Sequence, residues 1–266
     1  MPIVLDKPDG WTPLDALTAL RACEPELANA RLGYAGRLDP MAEGVLLVLR
    51  DDENNDAARY RALDKEYVVR VLFGFATDTY DALGLVDDER PVPTDERVRS
   101  VVVSLPGRFE QPWPPYSARR VHGRAMYYWA RRGGVPGTQP PATARTLHTV
   151  AIVASGAVAR SVLRTAIETR VTRVRGDFRQ PEIVARWSTV LAKSGGDLPW
   201  FDLRVHCSSG TYMRSLAHRI GTQIESAAIA LHIVRERVGE FRREEARKLG
   251  DATGQDGAPR SSSSAT

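Results

Sequence analysis

The segment Gly33-Tyr34-Ala35-Gly36-Arg37-Leu38-Asp39-Pro40-Met41-Ala42-Glu43-Gly44-Val45-Leu46 concentrates the features that chemistry needs. Glycines shape the approach to one carboxylate, Asp39, and Pro40 stiffens the chain directly after it. A tight, Gly-flanked loop can present a single acid group at the mouth of a cleft. The plainer reading is that Asp39 closes an Asx-turn ahead of Pro40, since Asp-Pro turns are common. Residue types and spacing leave both readings open. Other chemistries lack a signature. Cys23 and Cys207 are far apart and form no CxxC, and the five histidines form no HExxH, so no metal is expected. A dinucleotide fingerprint and a P-loop are absent, so no nucleotide cofactor is expected either.

Around that loop the elements are readable. Ile3-Val4-Leu5 is a short strand and Lys7-Pro8-Asp9-Gly10 a turn. Thr12 is a good N-cap, with Pro13 at the first helical position and Asp15 placed for a capping box. Val45 to Leu49 and Tyr67 to Phe73 are strands. Thr94 opens a helix whose apolar positions are Val98, Val101, Val102 and Leu105. Val150 to Val162 reads as helix or strand, Thr165 to Val174 as β-rich, and Gln180 to Leu191 as a helix. Phe201, Leu203, Val205 and Cys207 alternate with polar residues as a half-buried strand does. Many connections are hairpin-length. The expected class is therefore α+β, with a mixed, largely antiparallel sheet flanked by helices.

Composition sets the outer bounds. The chain has 266 residues, 42% hydrophobic and 26% charged, with room for a sizeable core. Its longest apolar run, Val45 to Leu49, is far short of the ~20 residues of a membrane span. The N-terminal residues lack a signal-peptide layout, and a cytoplasmic location is expected. Net charge is only +4, but 33 of the 37 basic residues are arginine. Arginine suits phosphate forks and base stacking, and a G+C-rich genome would favour it too.

Several blocks together resemble one family. Gly-Arg-Leu-Asp-Pro followed by Ala-x-Gly-Val-Leu resembles the catalytic motif of the TruB-type tRNA pseudouridine synthases. Lys7-Pro8-x-Gly10 with Thr12 is similar to the family's opening, and Lys65-Glu66-Tyr67 followed by Gly74 to its tyrosine-bearing strand. Thr77-Asp78-Thr79-Tyr80-Asp81-x-x-Gly84 resembles its turn. The run from Pro115 to Arg131 resembles its RNA-gripping segment. His206-Cys207-Ser208-x-Gly210-Thr211-Tyr212-x-Arg214 and Ile233-x-Arg235-x-Arg237-x-Gly239-x-Phe241 resemble its two late motifs. The blocks stand in family order from residue 3 to about residue 241.

The resemblance implies the pseudouridine-synthase fold and a reaction. A uridine in RNA, most plausibly uridine 55 in the T-loop of tRNA, becomes pseudouridine: N1–C1′ breaks, the base turns over, and C5 joins C1′. No cofactor is needed. The essential carboxylate maps to Asp39, as nucleophile or as proton acceptor. Tyr67 maps to the tyrosine that stacks on the flipped base, and Arg214 to the arginine that pairs with the aspartate. Tyr212, Ile233 and Tyr34 map to the base pocket. Lys7, Arg120 and Arg124 complete the implied substrate contacts. Base flipping costs a few kcal/mol, which accounts for a basic, aromatic-rich arm. There Arg119, Arg120, Arg124, Arg131 and Arg132 interleave with Tyr116, Tyr127, Tyr128 and Trp129. An ordinary amphipathic helix with Tyr127 and Ala130 turned inward is the alternative for that stretch. The implied partner is the tRNA T-arm, and a monomer without a membrane partner is expected.

The chain departs from the family at named positions. Tyr34-Ala35 replaces His-Thr or His-Gly, Arg37 stands where Thr or Ala is common, and Glu43 replaces Thr. The expected organisation is a catalytic domain over 1–249, with the RNA-binding arm at 111–145 and an insertion at about 150–199. A disordered tail at 250–266 follows, too short for the family's C-terminal RNA-binding module. Two other readings compete: an RNA-binding or RNA-folding protein that has lost turnover, and a pseudouridine synthase for a different RNA.

Overall fold

The computed structural model describes residues 1–135 and 140–249; the segment expected as a tail and four residues of the arm lie outside that range. In chain order the N-terminal part holds β1 (Ile3–Lys7), α1 (Pro13–Cys23), β2 (Leu32–Ala35), β3 (Ala42–Arg50), α2 (Ala57–Ala62) and β4 (Lys65–Phe73). Next come β5 (Phe75–Thr77), β6 (Val86–Glu89), α3 (Asp95–Ser104), β7 (Gly107–Pro112), β8 (Arg120–Val121), β9 (Arg124–Ala125) and α4 (Met126–Ala130). The remainder is β10 (Ala142–Val158), α5 (Arg160–Arg173), α6 (Gln180–Leu191), β11 (Leu198–Cys207), α7 (Met213–Gln223), β12 (Ala228–Val238), β13 (Phe241–Arg242) and β14 (Arg247–Lys248).

Ten strands share one sheet in the order β14-β1-β3-β12-β4-β11-β10-β7, with β13 on β12 and β2 on β3. The β1–β14 and β3–β12 pairs are parallel and the other pairings antiparallel, so the sheet is mixed and largely antiparallel. Side-chain alternation explains the layers. On β3, Leu46 and Val48 meet Ala16, Leu17 and Leu20 of α1, while Val45, Leu47 and Leu49 turn to the other face with Ala57 and Tyr60 of α2. On β4, Tyr67, Val69, Val71 and Phe73 pack with Leu216 and Ile220 of α7 and Val98 and Val102 of α3. Leu72 points the other way, into a cluster with Ile167, Ile183 and Trp187 of α5 and α6.

The caps read from sequence form as expected. The Thr12 amide donates to Asp15 Oδ2 at 2.8 Å, and the Asp15 amide donates to Thr12 Oγ1 at 3.2 Å. Thr94 Oγ1 accepts from the Arg97 amide at the start of α3. One expectation changes. Thr165 to Arg173 is helical, not β-rich, and only Val174 is extended. Leu163, Ile167 and Val171 recur every four residues, and all three are buried, so one helical stripe outweighs the β-branched composition. The segment expected as an insertion packs on the sheet. β10 runs through Val158 between β7 and β11, and the α5–α6 hairpin buries Trp187 against Phe75. Trp187 also donates its Nε1–H to the Ala82 carbonyl, so the hairpin is keyed to the core by a polar contact as well.

Glu43, a departure from the family pattern, serves the sheet rather than the loop. Its carboxylate lies 3.7 Å from His232 Nε2 and 3.1 Å from Arg243 Nη2, joining β3 to β12 and the segment after β13. The neighbouring His232, followed by the Arg243 contacts, draws the Glu43 carboxyl down to about 2. A carboxyl depressed on folding stabilises above its unfolded value near 4.5, and loses that stabilisation as pH falls toward 2. Glu43→Gln is expected to cost about 2 kcal/mol at pH 7 and to have little further effect below pH ~2. Denaturant unfolding across pH 2 to ~7 measures this, and an unchanged pH slope in the variant would refute it.

Candidate active site

Arg214 organises the site. It stands in the first turn of α7 with its side chain only 4% exposed. A buried guanidinium needs partners for its donors and its charge. Nε donates to Asp39 Oδ2 at 2.8 Å, Nη1 to the Thr79 carbonyl at 2.7 Å and Nη2 to the Tyr116 carbonyl at 3.0 Å. Asp81 Oδ2 lies 3.6 Å from Nε. Burial pulls the Arg214 pKa down, but the Asp39 and Asp81 charges outweigh it and the net shift is upward, so the guanidinium stays charged.

The socket that receives Arg214 is the turn between β5 and β6. Thr79 Oγ1 donates to Asp81 Oδ1 at 2.6 Å, and the Leu83 amide donates to the same oxygen at 2.9 Å. Thr77 Oγ1 donates to the Asp81 carbonyl at 2.7 Å. Tyr80 takes a left-handed conformation at φ 65° and stacks on His218 at 4.0 Å. This compact turn aims the Thr79 carbonyl inward. Burial pushes the Asp81 carboxyl up, against the pull of Arg214 and Thr79.

Asp39 sits in the loop between β2 and β3, and Arg235 of β12 ties that loop down. The buried Arg235 donates from Nε to the Val45 carbonyl at 2.7 Å and from Nη2 to the Gly36 carbonyl at 2.9 Å. Gly44 has φ +101°, and a Cβ there would run into the Arg235 backbone. From the opposite side, the Gly10 amide donates to the Pro40 carbonyl at 2.8 Å. Arg170 of α5 grips Asp9 at 2.8 and 2.9 Å and reaches the Met41 carbonyl at 3.3 Å. The loop is thus fixed at Gly36, Pro40, Met41 and Val45.

Asp39, Tyr67, Tyr212 and Arg214 line one cavity of about 850 Å³. Tyr67 is buried, paired in register with Arg235, and burial raises its hydroxyl pKa. The sequence reading assigned no role to Thr79, Asp81, Arg235, Arg145, Phe178 or Arg179, which also line it, as does Tyr116 of the arm. Thr79, Asp81 and Arg235 stand inside the quoted motifs, where a polar residue type was the available signal. Arg145, Phe178 and Arg179 stand outside them and carried none.

Five residues expected to meet the substrate lie outside this cavity. Tyr34 faces the α1 cluster, because pairing with Val48 sends alternate residues of β2 to that side. Ile233 is core beside Leu38 and Tyr67, behind the cavity wall. Lys7 is fully buried, donating from Nζ to the Pro8 and Trp11 carbonyls at 2.8 and 2.6 Å; burial draws its pKa down to about 8. It supports the loop that contacts Pro40. Arg120 and Arg124 lie on the exposed β8–β9 hairpin, while Arg119, Tyr127 and Arg131 of the arm reach the cavity. Outside the cavity, folding also brings Asp64, His148 and His206 together, which their spacing did not foretell. His148 Nε2 lies 3.1 Å from Asp64 Oδ2.

A mixed sheet that supports one carboxylate on a buried arginine beside a tyrosine defines the pseudouridine-synthase class. The model for the TruB family pseudouridylate synthase N-terminal domain matches residues 25–213, and the chain belongs to that family. A relative named tRNA pseudouridine synthase B from Nitratidesulfovibrio vulgaris (strain Hildenborough) is 32% identical over 237 residues, covering 88% of this chain and 62% of its own length. The protein of that name from Opitutus terrae is 29% identical, with 94% and 83% covered. That from Deinococcus deserti is 30% identical, with 91% and 75% covered. The chain thus spans 62% and 66% of the length of the two Nitratidesulfovibrio vulgaris relatives it matches. The fold is shared with the crystal structure of an archaeal box H/ACA sRNP Nop10-Cbf5 complex, at TM-score 0.54, 18% identity, and 93% and 51% coverage. Among the described residues, no helix is long and apolar enough to cross a membrane.

The glycine constraint is testable. Gly44→Ala is expected to destabilise the chain by about 2–4 kcal/mol, through the positive φ and the clash with the Arg235 backbone. Urea unfolding checks it, and a loss below ~1 kcal/mol would contradict the arrangement.

Proposed function

We propose that this chain isomerises a uridine of tRNA to pseudouridine, acting on the T-loop uridine at position 55 in the cytoplasm. The observation that carries the reading is the Asp39 carboxylate, half-buried in the cavity wall and held through one oxygen by Arg214. The other carboxylate there, Asp81, is buried and taken up by Thr79 and Leu83. Among the described residues no hydrogen bond reaches the other Asp39 oxygen, Oδ1, which leaves that atom for the substrate.

One carboxylate suffices for such a reaction. The N1–C1′ bond breaks, the same uracil rotates, and a C5–C1′ bond replaces it. The proton leaving C5 is balanced by one gained at N1, so atoms and charge are conserved. Glycoside hydrolysis uses a second group to activate water, whereas here the detached base is itself the returning nucleophile. Arg214 holds Asp39 aimed, in either the nucleophilic or the proton-accepting role. Tyr67 offers a flat wall for a flipped base, and Tyr212 flanks it.

The rim supports an anionic partner. Arg145 lines the cavity with its buried Nε unpartnered among the described residues. Burial, then the neighbouring Arg119, draw its pKa down. Two guanidinium groups beside one another favour a phosphate between them.

Asp39→Asn is expected to lower pseudouridine formation on an unmodified T-arm transcript by about 10³-fold or more, with the fold intact. The product is mapped by chemical labelling and primer extension without added cofactor or metal. Wild-type signal on unrelated stem-loops instead of the T-arm would redirect the reading to another RNA. RNA binding without product would replace it with a protein that binds and does not turn over.

A further inference from the structure

The site as described uses the α5–α6 hairpin only through Arg170, yet the residues joining its helices enter the cavity wall. Arg179, directly before α6, has φ 64° and ψ 27°. That left-handed conformation is uncommon for any residue but glycine and is found where surroundings enforce it. The enforcement is visible. The Arg179 carbonyl accepts from the Ile183 amide, and the Gln180 side chain accepts from the Phe178 amide at 2.8 Å and donates to the Gly176 carbonyl at 2.6 Å.

So held, Arg179 donates from Nη1 to Asp78 Oδ2 at 2.8 Å, and its guanidinium lies 4.9 Å from the Tyr116 ring centroid. The Tyr116 hydroxyl donates to that same Asp78 oxygen at 3.1 Å. Asp78 Oδ1 accepts from the Leu85 amide, which ties the post to the β5–β6 turn. The neighbouring residue, Thr79, offers Arg214 one carbonyl, and Tyr116 offers the other. Both halves of the Arg214 socket therefore meet at Asp78. The hairpin is itself pinned, because the Arg175 amide donates to the Gly10 carbonyl.

We propose that Arg179 is a positioning residue: by clamping Tyr116 to Asp78 it sets the carbonyl that receives Arg214, and so keeps Arg214 aimed at Asp39. This rests on the pseudouridine-synthase reading. Without Arg179, Tyr116 is held to Asp78 by one hydroxyl alone, and the arm residue is freer to withdraw its carbonyl. A direct phosphate contact is the less favoured role, because the Arg179 charge is already met by Asp78.

The test compares Arg179→Ala, Arg179→Lys, Asp78→Asn and the Ala/Asn double variant in the full chain on a T-arm transcript. Arg179→Ala is expected to lower kcat about tenfold with KM within about twofold of wild type. Lysine restores part of the loss, since it keeps the ion pair without the planar stack. The double variant is no worse than the weaker single variant, as one clamp predicts. A raised KM, unchanged kcat and a shallower salt dependence would make Arg179 a phosphate contact and overturn the proposal, as would unchanged kinetics. If Arg179→Ala fails to fold, Tyr116→Phe and Arg179→Lys carry the same comparison. Inactive wild-type protein would sink the function reading instead. The clamp is then read in RNA-free protein from solvent exchange of the Arg214 Nε–H by ¹⁵N NMR. Exchange is expected to be about tenfold faster in Arg179→Ala, and equal exchange overturns the clamp.

Discussion

The ion pair between Arg214 and Asp39 is the constraint to which the rest of the molecule conforms. An almost fully buried guanidinium forfeits hydration worth several kcal/mol and must recover it from fixed partners. Here three donor positions meet three separate stretches of chain: the Asp39 loop, the β5–β6 turn and the arm. Each partner has to arrive at a hydrogen-bond distance. The fold is the apparatus that brings them there.

The Asp39 loop shows how this is done. A loop alone would place a carboxylate loosely. This one hangs between adjacent sheet strands and is tied at four points along ten residues. Arg235 grips Gly36 and Val45 from within the sheet, while Gly10 and Arg170 hold Pro40 and Met41 from outside. Most of these contacts run from charged or amide donors to backbone carbonyls, so they fix the main chain independently of side-chain rotamers. The chain's wealth of arginine has this structural use beside any use on RNA.

Much of this was legible before the structure, and the limits are physical. The Thr12 cap, the α3 stripe and the alternating β11 strand depend on neighbours a few residues away, so local sequence suffices. Thr165 to Val174 misled because β-branched residues invite a strand, whereas burial of Leu163, Ile167 and Val171 against the sheet decided for a helix. Tyr34 misled differently. The motif named the position, but strand pairing determined which face its side chain took. Glu43 read as charge beside the catalytic motif, and folding supplied His232 and Arg243 to absorb it.

By itself, then, the sequence determined the class of fold, the order of the elements and, through the family resemblance of its motif blocks, the expectation that Asp39 pairs with Arg214. These follow from periodicity, from glycine and proline at turns, and from motif blocks that keep their order along the chain. Only the tertiary structure decided that Arg235 and Arg170 grip the Asp39 loop, that Asp78 gathers Tyr116 and Arg179, and that Lys7 supports the site instead of lining it. The Arg235, Arg170 and Asp78 contacts join residues 38 to 199 positions apart. Partners at such separations are chosen by packing and by the need to satisfy buried polar groups, and neither leaves a periodic trace in the chain.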